Sequence, residues 1–345
     1  MTGASHLFVT PPLDGPATGG TLYNRNLIAA LRSTCLVRHG TLDELDSALA
    51  HGPFDYVWID SLHLASVAPL RARLDRSTQV CVLLHYLPTL LREPAPTSPD
   101  ALNSDERDAL TAANLVLVPS LTLGGLVQSL FANTRVMCVP PGVDDRLAEP
   151  AHTPEAGSCV MVCNVTENKG VYPLLSALAS SLQDSDRIDM HVIGSLTAEV
   201  AYAQRCARLV TEHPQLSSRV HLRGALAHAA VLDALARCAL FVSASRMESY
   251  GMALAEARAQ GVPILARAAG HVAEHVAASA GGELVADESE LARSVLALMR
   301  RPEELARRTR LARAQRVWRS WRHAASEFAR QTRTVRRART GALQA

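Results

Sequence analysis

Short apolar runs of strand length alternate with amphipathic stretches of helix length along almost the whole of this 345-residue chain. That alternation admits few architectures, because strands separated by helical crossovers build parallel sheets with helices packed on them. In the first half the strand-like runs are HLFVTP, YVWID, QVCVLLHYL, LVLVPS and TRVMCVPP; in the second they are CVMVCNV, MHVIGS, VHLRGA, CALFVSAS, PILARA and ELVAD. A helix over Leu22–Leu31 follows the first strand across the loop DGPATGG. Between the halves, Asp144–Ser158 is polar, contains prolines and has no periodicity, so it reads as a linker. The expected fold is α/β, with two doubly wound, Rossmann-like parallel-sheet domains facing a central cleft. Residues 1–150 form the first and residues 157–310 the second. A helix from about Pro302 to Arg339 carries Trp318 and Trp321 and closes the chain, its Arg-rich part spanning residues 311–345.

Composition narrows the class. Hydrophobic residues make up 48% of the chain, and no run approaches the roughly 20 apolar residues that a membrane-spanning helix needs. The start, MTGASHLFVTPP, has neither a basic segment nor a long apolar one, so no secretory signal is read there and a cytoplasmic location is expected. Seven scattered cysteines without a CxxC pair read as small buried hydrophobes in a reducing compartment. From Arg300 onward there are fourteen arginines against three glutamates, a basic tail on an otherwise acidic chain. Arg310, Arg313, Arg316, Arg319 and Arg322 recur every three residues and so spread around a helix instead of forming one stripe. Two readings stand for this tail: a solvated helix, or peripheral contact with an anionic membrane at its inner face. Without interleaved aromatic residues or a reader motif, nucleic acid is not an expected partner.

The residues with chemistry gather around SASRMESYGMALAEARAQGVP, Ser243 to Pro263. A strand runs in, a Ser-Tyr-Gly turn follows, and an Ala-rich helix starting near Tyr250 or Gly251 stops at Gly261, just before Pro263. Glu248 falls on the loop and Glu256 inside the helix, both at the carboxyl end of a strand, where open α/β sheets bind ligands. A carboxylate in such a place suits a vicinal diol, and the amides from Ser249 through Tyr250, Gly251 and Met252 suit an anion or sugar hydroxyls. Lys169 is the only lysine among 35 basic residues and sits at a strand-to-helix turn, CNVTENKGVYPLL. In a chain that otherwise uses Arg for every cation, its compact point charge fits close approach to a phosphate oxygen. The Gly19-Gly20-Thr21 loop opens the first helix and could cradle a phosphate or a sugar through its amides, although turns explain most such glycine pairs. His85 ends a strand-like run and His63 lies in DSLHLA; either suits a core position as well as a reactive one.

These segments resemble, in order and over nearly the whole chain, the retaining glycosyltransferases of family 4, which have the GT-B fold. The resemblance rests on the E-x7-E stretch of Glu248 and Glu256, the Gly19-Gly20 loop, the strand ending in His85, and VPS at Val118–Ser120. It continues in PPGVD at Pro140–Asp144, NKG at Asn168–Gly170, VIGS at Val192–Ser195, RVHLRGAL at Arg219–Leu226 and AGHVAE at Ala269–Glu274. It implies transfer of a sugar from a nucleotide diphosphate sugar to an acceptor, a glycan, lipid or small molecule, with retained anomeric configuration. Glu256 would bind the donor ribose, Glu248 would face the donor sugar and Lys169 would neutralise the departing diphosphate. Gly20 would approach the phosphates and His85 would lie beside the reacting sugar. Neither a metal nor a further cofactor is implied. The final helix is similar to the element that crosses back toward the N-terminal domain.

The chain departs from the pattern at two places. Cys163-Asn164-Val165 stands where the family often has Gly-Arg-Leu, so Asn164 would give the donor a neutral hydrogen bond in place of a charge-assisted one. Ala269-Gly270 stands where a glycine pair is usual. A non-catalytic nucleotide-sugar-binding protein is therefore the alternative to an enzyme. A glycoside hydrolase also uses two carboxylates but has no use for the lysine and the glycine loop.

Overall fold

A computed structural model describes residues 4–15 and 18–342, with side chains described through residue 336. Pro16 and Ala17 of the DGPATGG loop and the last three residues of the Arg-rich tail lie outside the described residues. The chain divides into two compact units, Met1–Gly142 with Arg319–Ala345, and Val143–Trp318.

The first unit runs β1 (Ser5–Val9), α1 (Gly19–Leu31), β2 (Leu36–Gly40), α2 (Leu45–Ala50), β3 (Tyr56–Asp60), α3 (Val67–Arg73), β4 (Gln79–Leu83), α4 (Ser104–Ala112), β5 (Leu115–Val118), α5 (Leu121–Leu130) and β6 (Val136–Cys138). The second unit runs β7 (Ser158–Val162), α6 (Val171–Ser181), β8 (Asp189–Ile193), α7 (Val200–Glu212), α8 (Pro214–Ser217), β9 (Val220–Gly224), α9 (His228–Arg237), β10 (Leu240–Ser243), α10 (Met252–Gln260), β11 (Ile264–Arg267), β12 (Glu283–Val285), α11 (Glu288–Met299) and α12 (Pro302–Ala314). A last helix, α13 (Trp321–Ala342), returns to the first unit.

Each unit holds one six-stranded sheet, ordered β2-β1-β3-β4-β5-β6 in the first and β12-β11-β10-β7-β8-β9 in the second. Every pairing is parallel. The order reverses beside the first strand of each sheet, which opens a crevice at the carboxyl ends of the central strands. Central strands are buried throughout, as in Tyr56–Asp60 and Gln79–Leu83, because helices cover both faces.

Three expectations change. β2 is an edge strand whose LVRHG sequence is only half buried, with Leu36 61% accessible, so it lacks the apolar run that marked the others. The segment read as a linker belongs to the second unit: Leu147 is buried in its core, and the Thr153 and Glu155 amides donate to the Ala236 and Arg237 carbonyls. The closing helix is broken between α12 and α13, so Trp318 is not helical. Neither Gly nor Pro marks that break. Ser320 accepts from the His323 amide at 3.1 Å as α13 starts, and the Trp318 indole N–H donates to the Asp144 carbonyl. Several tail arginines are tethers: Arg313 and Arg316 donate to the His152 and Leu147 carbonyls, and Arg319 donates to the Pro140 carbonyl while pairing with Glu327 at 2.6 Å. Among the described residues no helix is long and apolar enough to cross a membrane.

Candidate functional site

In the second unit the loops leaving β7, β8, β10 and β11 are stitched together at the carboxyl edge of the sheet. The 3-10 turn Glu167–Lys169 follows β7, and Gly170 after it sits at φ 63° with its α-carbon packed on β10's exit. A β-carbon there would lie 2.3 Å from the Ala244 carbonyl oxygen, so only glycine allows the turn this close. The Arg246 amide donates to the Asn168 carbonyl at 2.8 Å, which ties the two loops by backbone alone. Lys169 Nζ then reaches Glu248 Oε1 at 2.6 Å, and Ser245 Oγ donates to the same oxygen at 2.7 Å. The two charged side chains are 23% and 17% exposed. Burial works against charge on Lys169, but the carboxylate of Glu248 outweighs it and raises the lysine pKa above its ordinary value.

The Glu248 turn is fixed from the other side as well. Its carbonyl accepts from the His271 amide at 2.9 Å, the Tyr250 ring stacks on the His271 ring at 5.2 Å, and His275 Nε2 donates to the Tyr250 carbonyl at 2.7 Å. Burial, with His271 beside it, lowers the His275 pKa to about 4, so the ring is neutral and serves as a strut. Gly251 forms the N-terminal cap and α10 runs from Met252 to Gln260, ending at Gly261 as its sequence requires. The first amides of α10 have no intrahelical acceptors and carry the positive end of the helix dipole. Met252 is the first of these amides, and the turn Ser249–Gly251 joins it to Glu248.

Glu256 lies on α10 with its side chain 7% exposed, and Oε1 is 2.7 Å from His228 Nε2. Asn164 Oδ1 accepts from the Ser195 amide at 3.0 Å and so holds the β7 and β8 loops together. Its Nδ2 is the group left to donate to a ligand. Cys163 beside it is inert at neutral pH, its thiol pushed up to about 12 by burial.

The remaining expected residues lie in the first unit. Gly19 and Gly20 are not a loop but the first turn of α1, capped by Thr18, whose Oγ1 accepts from the Thr21 amide at 3.2 Å. A β-carbon on Gly20 would come within 3.2 Å of the His85 ring, so the small residue lets the helix close on the histidine. His85 lies two residues past the end of β4. Its Nε2 is 2.8 Å from Asn24 Oδ1 and 3.4 Å from Asp60 Oδ2, while Asn24 Nδ2 donates to Asp60 Oδ2 at 2.5 Å. Since Asn24 spends its N–H on Asp60, its oxygen accepts, so His85 Nε2 is the donor in this contact. Asp60 is 2% exposed. Burial alone would raise its pKa, but hydrogen bonds from His85, the Leu62 amide and Asn24 lower it. His63 has a buried Nε2 without a hydrogen-bond partner and joins neither group.

Sequence reasoning missed Ser245 and His228 as the partners of the two glutamates, and Asn24 and Asp60 as the partners of His85. Asp60 was legible only as a strand-terminal acid, and His228 sits 28 positions before Glu256 with no spacing rule to join them.

Residues 156–301 match a family model described as "Glycosyl transferases group 1", a span that includes Asn164, Lys169, Glu248 and Glu256. The chain is 25% identical over 289 residues to D-inositol 3-phosphate glycosyltransferase 1 of Catenulispora acidiphila, covering 76% of this chain and 69% of that protein. Among solved structures it resembles sucrose-phosphate synthase from Thermosynechococcus elongatus, with a TM-score of 0.79, 18% identity, and coverage of 97% and 100% of the two chains. It also resembles Anabaena HepE in complex with UDP-glucose, with a TM-score of 0.74, 18% identity, and coverage of 96% and 100%. With its two six-stranded parallel sheets, the chain has the α/β GT-B fold, and its second unit is similar to the group 1 glycosyl transferases.

Proposed function

We propose that this chain is a retaining glycosyltransferase of family 4 type, taking a nucleotide diphosphate sugar as donor. The observation that carries the reading is the Lys169–Glu248 pair at the mouth of the second sheet, inside the region that matches the family model and beside the N-terminus of α10. A lysine held by one carboxylate oxygen at 2.6 Å is charged and ready. An arriving diphosphate offers it two or more anionic oxygens, and the ammonium passes from Glu248 to the leaving group. Glu248 is then released toward the donor sugar, while Glu256 holds the ribose hydroxyls and Asn164 Nδ2 adds a neutral donor.

The chemistry asks for stabilisation of negative charge on the departing diphosphate, which fixed donors supply best where water is excluded. Lys169, with the Ser249–Tyr250–Gly251 turn and the first amides of α10 from Met252, meets that need without a metal. In the first unit, His85 offers Nδ1 as a hydrogen-bond acceptor for a sugar hydroxyl, with Gly20 leaving room beside it. HepE, solved in complex with UDP-glucose, supports a uridine nucleotide as the first donor to try. The acceptor is a glycan, a lipid or a small molecule, and the location is cytoplasmic. Arg322 and Arg333, both exposed, are the cations of α13 best suited to peripheral contact with an anionic membrane.

Turnover of UDP-, GDP- and ADP-sugars, with and without candidate acceptors, tests the reading by product NMR. Transfer, or slow donor hydrolysis, with the anomeric configuration kept is expected. Tight donor binding with no turnover under any acceptor would favour the non-catalytic alternative.

A further inference from the structure

One imidazole in the second unit lies between two carboxylates. His228, the first residue of α9, has Nε2 2.7 Å from Glu256 Oε1 and Nδ1 3.7 Å from Asp144 Oδ2. The ring is 37% exposed and the Glu256 side chain 7%. A neutral imidazole has one N–H and one lone pair, so it would turn a lone pair on one of these acids; only imidazolium suits both. The charged groups around it are Glu256 from α10, Asp144 and Arg146 from the turn before β7, and Asp233 further along α9, which pairs with Arg146 at 3.8 Å. Their balance favours the charged ring. The hydrogen bond that His228 donates to Glu256 raises its pKa, burial opposes it, the charges of Glu256 and Asp144 add to it, and Arg146 subtracts.

Resting on the donor reading above, we propose that His228 is a positioning residue of the donor site. It grips Oε1 of Glu256 and leaves Oε2, with the second lone pair of Oε1, for the two ribose hydroxyls. A carboxylate gripped at one oxygen keeps a single rotamer, so the diol meets acceptors already in place. The positive ring also offsets the charge of Glu256 where a diphosphate must approach. Donor affinity then follows protonation of His228: full below the raised pKa of the ring, and weaker as pH rises through it.

The test is titration calorimetry of the full chain with UDP-glucose, GDP-mannose and ADP-glucose. Diphosphate diesters of this kind have no group titrating across neutral pH, so the protein sets the profile. Compared with about pH 6, wild-type affinity at about pH 8.5 is expected to fall roughly tenfold, the worth of one charge-assisted hydrogen bond. His228→Gln keeps a donor for Oε1 but cannot titrate, so its affinity is expected to be flat across that range. His228→Ala is expected to bind weakly at every pH, with KM for the donor raised and kcat at saturation little changed. Wild-type affinity in His228→Ala, or the wild-type pH profile in His228→Gln, overturns the proposal and leaves the donor reading standing. Failure of the wild type to bind any of the three nucleotide sugars removes the donor reading and the proposal with it.

Discussion

Replacing Lys169 by Met and Glu248 by Gln, singly and together, dissects the ion pair on which the proposed chemistry turns. At 2.6 Å the raw attraction is about 6 kcal/mol at the effective dielectric of roughly 20 that suits protein sites. Desolvation takes back most of it, and with side chains 23% and 17% exposed the pair lies between surface and buried cases. A net coupling of about 1–2 kcal/mol follows. Lys169→Met strands Glu248 at the sheet edge and is expected to lower unfolding free energy by about 2 kcal/mol, while the double variant loses clearly less than the sum of the singles. Urea unfolding between about pH 7 and pH 9 reads the cycle without interference, because a raised lysine pKa keeps this stabilisation whole below 10.5 and loses it only at higher pH. Transfer rate is the second readout: loss of one preformed charge at the leaving group costs on the order of 100-fold or more in kcat, even where Lys169→Met remains folded. Single changes that add to within about 0.5 kcal/mol of the double variant would refute the coupling, and an active Lys169→Met would refute the role at the diphosphate.

Two further outcomes rest on geometry elsewhere. His6 and His275 are held neutral, each with its pKa lowered to about 4, mainly by burial. A lowered histidine pKa means stability complete above the unfolded value near 6.5 and lost as pH falls from there toward 4, worth on the order of 3 kcal/mol for each ring. The urea midpoint should drop across that window, and His275→Gln should flatten part of the slope; a midpoint constant from 6.5 to 4 would contradict the burial account. Gly270, at φ 54°, would place a β-carbon 2.4 Å from the Glu248 carbonyl oxygen. Gly270→Ala should therefore displace the Glu248 turn, cost about 1–3 kcal/mol in stability and cut transfer more steeply than that stability loss explains. A fully active variant would show that the turn tolerates the shift.

Much of the architecture was legible because buried parallel strands are apolar on both faces and announce themselves. All six strands of the second sheet correspond to runs read from the sequence, and the edge strand β2, half exposed, does not. The break before α13 was hidden because a serine cap and tethers from Arg316, Trp318 and Arg319 make it, with no Gly or Pro as punctuation. At the site, Glu248, Glu256 and Lys169 stood out through local spacing and rarity. Their partners did not, since Ser245 is an ordinary strand-end serine and His228 reaches Glu256 only through the packing of α9 beside α10. The Asn164 side chain, read only as a weaker substitute for arginine, proves to have a structural duty on Ser195.

In the proposed function, the carboxyl edge of the second sheet binds a nucleotide diphosphate sugar through Lys169 and Glu256. Calorimetric titration of the wild type, Lys169→Ala and Glu256→Ala with UDP-glucose tests it most directly, with circular dichroism confirming that each variant is folded. Binding by the wild type is expected, with a loss of roughly tenfold or more in each variant, the scale of a lost charge-assisted contact. Equal affinity across all three proteins would contradict it.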